Sequence, residues 1–76
     1  MTNEQVNFIA DFIHYMWQRG FKCYIEKGTG RSQINRQEKT VILDILDKDL
    51  FEKIYIAKEI ANQILHKEQI QAAANQ

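Results

Sequence analysis

Four cations and two glycines share one polar stretch of this chain. Lys27, Arg31, Arg36 and Lys39 stand within residues 27–39, opposed there only by Glu38, and Gly28-Thr29-Gly30 would let the backbone come close to a ligand. Backbone amides combined with long cations are what phosphate recognition needs, and a basic loop can also follow a nucleic-acid backbone. These four residues are therefore the candidate anion or nucleic-acid contacts. The competing reading is a solvated turn, because Gly-Thr-Gly lacks the full spacing of a phosphate-binding loop. No aromatic lies in the loop to stack on bases, although Tyr24 is near in sequence.

Other chemistry is sparse. Asp44, Asp47, Asp49 and Glu52 form an acidic run without the regular oxygen spacing and central glycine of a calcium loop. Capping of the helix that follows, with help from its dipole, accounts for these acids and leaves the run as at most a docking patch for a basic partner. His14 and His66 are far apart in sequence and have no nucleophile or metal-ligand spacing beside them. Cys23, the only cysteine, falls on the inward side of a strand, where a thiol behaves as a small apolar group. Thr29 and Ser32 have no base nearby. No catalytic residue, metal ligand or cofactor is assigned, and the chain is expected not to be an enzyme.

Seventy-six residues with balanced charge, ten cations against ten acids, bound the rest. One domain of this size buries only about 60% of its unfolded surface, so packing or self-association must supply its stability. Neither a disulfide framework nor a Cys/His metal set is there to help. Zero net charge gives no general attraction to nucleic acid or membrane. No apolar stretch is long enough to span a bilayer, the first residues lack a signal-peptide pattern, and a lone cysteine suits a reducing compartment. A cytoplasmic protein without a membrane partner is expected.

The elements that must hold these residues are a helix, two strands and a second helix. Thr2 and Gln5 have capping-box spacing, after which Val6, Ile9, Ala10, Ile13, Met16 and Trp17 mark one helical face ending near Arg19 and Gly20. Phe8, Phe12 and Tyr15 form a second stripe beside it. Residues 21–26 alternate as a strand, residues 27–39 read as a long hairpin loop, and residues 40–46 form the second strand, paired antiparallel to the first. Asp47 or Asp49, with Glu52, caps a helix striped by Leu50, Ile54, Ala57, Ala61, Ile64 and Leu65.

The predicted fold is α+β: a two-layer helix–strand–strand–helix domain over residues 1–66, with both helices on one face of the hairpin. Residues 67–76 are expected to be a fraying helical or disordered tail. The order invites comparison with double-stranded-RNA-binding domains, but Asp47, Asp49 and Glu52 at the start of the last helix would repel phosphate. Two free strand edges and the second stripe favour a homodimer. Phe8, Phe12, Tyr15 and Trp17 become the candidate partner-binding surface, since aromatics dominate interface energetics. The function this supports is a small regulator, adaptor or inhibitor that binds a protein partner. The alternatives are a nucleic-acid-binding regulator using residues 27–39 and a phage or mobile-element inhibitor of a host protein.

Overall fold

A computed structural model describes residues 2–74. Helix α1 (Asn3–Gln18) starts on the capping box: the Thr2 hydroxyl accepts from the Gln5 amide at 3.2 Å, and the Gln5 side chain accepts from the Thr2 amide at 2.9 Å. It ends at Arg19, and Gly20 follows with φ +83°, the left-handed conformation that the missing Cβ makes cheap. Three strands then form one mixed sheet, β1 (Lys22–Glu26), β2 (Gln33–Asn35) and β3 (Thr40–Asp44), in the order β1-β3-β2. Helix α2 (Leu50–Ala74) closes the described chain.

The α+β class and the order of the two helices stand, but the sheet differs from the sequence expectation. β1 pairs with β3 in parallel, Cys23 beside Val41 and Ile25 beside Leu43. The rule that a short connection forces antiparallel pairing holds only for strands joined directly. Here the connection crosses the end of β3, returns on its far side as β2, and turns through residues 36–39 into β3. The polar loop thus supplies a third strand, and the antiparallel pair is β2 with β3, Ile34 beside Val41. Sequence hid β2 because three residues with one apolar side chain, Ile34, show no alternation.

Cys23, Ile34, Val41 and Leu43 share the inward face of the sheet. Val41 and Leu43 are buried with Phe21, with Ile9, Phe12 and Met16 of α1, and with Leu50, Ile54, Ala57 and Ala61 of α2. The α2 stripe therefore falls where its periodicity put it. The α1 face does so only in part: Ile9 and Met16 are buried and Ile13 packs beside them, but its two ends are not. Phe12 is 2% exposed, and Phe8 and Tyr15 pack against the core, whereas Trp17 is 69% exposed and Val6 faces solvent. The interior takes the middle of the first stripe, Ile9 and Met16, together with Phe12 of the second, and α2 offers Phe51 and Tyr55 to the Phe8 ring. Phe12 is thereby taken off the surface, and Tyr15 is half-buried.

Beyond Leu65 the α2 side chains described, through Gln71, are exposed, but the segment stays helical to Ala74. An ion pair from Lys39 Nζ to Glu68 at 2.6 Å ties it back to the turn before β3. Of the fraying helical or disordered tail expected from residue 67, the part to Ala74 is helical, and residues 75–76 lie outside the described residues.

Phe12→Ala is expected to cost about 3–5 kcal/mol of unfolding free energy in urea titration, as for other buried phenylalanines. Trp17→Ala should stay within about 0.5 kcal/mol of the parent, as for other surface changes. The reverse ranking would put Trp17 in the core in place of Phe12.

Candidate functional site

The polar loop is organised by a carboxylate of the chain itself. Asp44, at the end of β3 and 4% exposed, accepts the Gly28 amide on Oδ1 at 2.8 Å and the Gly30 amide on Oδ2 at 2.8 Å. Its Oδ1 also accepts the Leu46 amide at 2.9 Å, and its own amide donates to Ser32 Oγ at 3.2 Å. Gly28 and Gly30 have φ of +78° and +70°, which turn both amides toward one point. This is an anion cradle, and its anion is built in. The amides of Leu46, Gly30 and Gly28, in that order, hold the Asp44 carboxyl below the usual carboxylate range. Asp44 was read from sequence with the helix caps; it is instead the anchor of the loop.

The cations divide. Arg31 grips Glu26 through both oxygens, Nε to Oε1 at 3.1 Å and Nη2 to Oε2 at 2.5 Å, and Thr29 donates to the same Oε1. The Arg31 and Thr29 hydrogen bonds lower the Glu26 pKa. Lys39 is held by Glu68. Among the described residues only Lys27 and Arg36 of the four have no ion pair. The structure therefore does not bring the four candidate contacts together as one positive surface, because two are spent on internal acids.

Asp47 completes the acidic end of the sheet. Its Oδ1 accepts the Asp49 amide at 2.8 Å and its Oδ2 pairs with Lys53, one turn into α2. The Lys53 ammonium, then the Asp49 amide and the Ser32 hydroxyl, pull its pKa to about 2. Asp47, rather than an Asp49–Glu52 box, organises the helix start. No group of three or more His, Cys, Asp or Glu among the described residues is placed to hold a metal ion. Of the acids at the start of α2, Asp47 is answered by Lys53, while Asp49 and Glu52 have no ion pair among the described residues.

Cys23 is half-buried, and burial raises its thiol pKa from 9.0 to about 11. The thiolate needed for nucleophilic work is correspondingly scarce. His14 lies on the surface with Nε2 3.1 Å from Gln18 Nε2. Arg19 stacks 3.5 Å above the Tyr15 ring, donates to the Tyr15 carbonyl, and reaches Asn62 Oδ1 of α2 at 2.9 Å. Lys58 lies 4.7 Å from the same ring. Tyr15 is thus a helix–helix fastener between two cations.

Among the described residues apolar surface is open in several places, two of which involve the predicted partner residues. Phe8, Phe51 and Tyr55 line a groove between α1 and α2, with ring centroids 5.5 and 6.0 Å from Phe8 and a volume of about 240 Å³. A second recess of about 380 Å³ shares Gln5 and Phe51 with it and adds Leu46, Lys27 and Lys48. A separate hollow of about 280 Å³ lies beside β1, lined by Ile13, Trp17, Phe21, Lys22, Cys23 and Tyr24. Of the predicted partner residues, Phe8 lies in the groove and Trp17 in the hollow, on different parts of the molecule. Sequence reasoning missed Leu46, Phe51 and Tyr55. Their signal was three apolar residues in and after the capping segment that the α2 stripe does not use.

No protein-family model, no curated protein and no solved structure matches this chain.

Two outcomes check the electrostatics. The carboxyls of Glu26, Asp44 and Asp47 are depressed in the folded state, so their stabilisation is complete above the unfolded carboxylate range, near pH 4, and disappears as pH falls through the folded values. The thermal midpoint should hold from neutral pH to about 4.5 and drop between about pH 4 and 2. In Asp44→Ala the Gly28 and Gly30 amides should exchange with solvent faster than in the parent by NMR. Unchanged protection would leave the loop anchored by something else. Separately, Cys23 should react with iodoacetamide at pH 8 at least about tenfold more slowly than free cysteine and regain full reactivity in denaturant. A rate matching free cysteine would mean an exposed thiolate.

Proposed function

We propose that this chain acts by binding a protein partner, as a small regulator, adaptor or inhibitor, and not as an enzyme. The observation that carries the reading is a pair of adjoining recesses that share Gln5 and Phe51 and leave Tyr55 (61% exposed) and Leu46 (62% exposed) open at the surface. A domain this short has few apolar side chains to spare from its core, yet it leaves these in neighbouring recesses. Contiguous apolar surface with a polar rim is the usual mark of a protein-binding site. Lys27 and Lys48 lie at one end, beside an Asp47 already paired with Lys53, and Glu4 lies at the other. That polarity suits an amphipathic segment with acidic residues at the Leu46 end.

The nucleic-acid reading loses support from the same geometry. The Gly28 and Gly30 amides that would cradle phosphate are taken by Asp44, and Arg31 and Lys39 are paired internally.

A photo-crosslinking amino acid at Leu46, compared with one at Gln37 in the β2–β3 turn, tests the assignment. Leu46 should give one adduct of defined mass in cells and Gln37 none, and Tyr55→Glu should weaken that adduct about tenfold or more, as for an interface hot spot. Fluorescence anisotropy with DNA and RNA at two salt concentrations supplies the opposing outcome. Salt-dependent binding lost in Lys27→Ala/Arg36→Ala, with no protein adduct at Leu46, would replace this reading with the nucleic-acid one.

A further inference from the structure

β1 is an edge strand with half of its backbone unused. The Lys22 amide donates to the Lys39 carbonyl at 2.9 Å, and the Glu26 carbonyl accepts from the Ile45 amide at 2.9 Å. A strand residue points its N–H and C=O to the same side and its neighbours point theirs to the other. Lys22, Tyr24 and Glu26 therefore face β3, while the N–H and C=O groups of Cys23 and Ile25 face outward. Among the described residues nothing hydrogen-bonds to those four groups. The opposite edge, β2, is three residues long and offers little to pair with.

We infer that the occupant of this edge is β1 of a second copy of the chain, paired antiparallel about a two-fold axis at Tyr24. The sequence Lys22-Cys23-Tyr24-Ile25-Glu26 is complementary to itself in that register. Cys23 lies opposite the partner's Ile25, and Ile25 opposite the partner's Cys23. These are the residues with outward backbone groups, so each pair exchanges two hydrogen bonds. Lys22 falls opposite the partner's Glu26, an opposite-charge pair made twice by symmetry. There it joins a carboxylate that already holds Arg31. The two Tyr24 rings, each 52% exposed in the single chain, meet across the axis as a non-hydrogen-bonded pair.

Other registers that use the outward groups lose this match. Centring the axis on Cys23 or Ile25 sets Lys22 or Glu26 opposite Tyr24 and leaves the charges unpaired. The side chains agree as well. On the inward face of the sheet, the partner's Ile25 comes to lie beside Cys23, next to the hollow lined by Ile13 and Trp17. The product is a six-stranded sheet in the order β2-β3-β1-β1-β3-β2, with no exposed edge longer than β2. This pairing uses a surface separate from the α1–α2 groove, so either assignment can fail without the other.

Sedimentation equilibrium of the intact chain from low micromolar to about 1 mM reads the association directly. A monomer–dimer equilibrium is expected. Lys22→Glu, which sets two acids face to face twice, should weaken it by about tenfold or more while the thermal midpoint at low concentration is kept. Tyr24→Cys in a Cys23→Ala background should form a disulfide-linked dimer on mild oxidation, since opposed non-hydrogen-bonded Cα atoms lie about 4.5 Å apart. Val6→Cys in the same background should not. A chain that stays monomeric throughout the range overturns the proposal. So does a dimer indifferent to Lys22→Glu, or equal crosslinking at Tyr24→Cys and Val6→Cys.

Discussion

The carboxylate of Asp44 is the interaction on which the arrangement of this chain turns. A connection of six residues, 27–32, has to carry the chain from one side of the central strand to the other, across its end. That path forces backbone amides inward over the sheet, and buried amides without acceptors are costly. Asp44 sits under the path and accepts two of them, at Gly28 and Gly30, together with the Leu46 amide where the chain leaves β3. One side chain thus fixes both the crossing and the turn toward α2. Once the crossing is fixed, β1 and β3 can lie parallel, β2 can form on the far edge, and the inward face is complete for the helices.

Charge at that end of the molecule follows the same logic. The register sets Glu26 beside Asp44, and Asp47 is three residues further on. Three acids so close would repel, and each is answered separately: Glu26 by Arg31, Asp44 by amides, Asp47 by Lys53. A sequence that looks like a basic loop followed by an acidic run is, in space, a set of local neutralisations. Of the loop's four cations, only Lys27 and Arg36 have no ion pair among the described residues.

How much of this could be read in advance differs by element. The capping box at Thr2, the Gly20 stop and the Leu50–Ile54–Ala57–Ala61 stripe are local patterns with local causes, and each is found as read. Whether Phe12 or Trp17 faced inward was not local, because both lie on apolar stripes of equal regularity and only the position of α2 chooses between them. The parallel pairing was further out of reach. It depends on Asp44 recognising glycine amides fourteen and sixteen residues before it, a contact that no periodicity records. The loop reads as a set of binding groups, and in the fold Arg31, Lys39 and the Gly28 and Gly30 amides are engaged by Glu26, Glu68 and Asp44 of the same chain.

Parallel pairing also has a bearing on the order in which the sheet closes. Cys23 and its partner Val41 are eighteen residues apart, whereas Ile34 and Val41 are seven apart. Loop-closure entropy grows with the logarithm of length, so the longer closure costs about 0.8 kcal/mol more. That difference is small, but it runs in one direction, and the β2–β3 turn needs no crossing to be fixed first. On entropy alone the hairpin is the cheaper nucleus. β1, the strand with the open edge, is then the last to be seated.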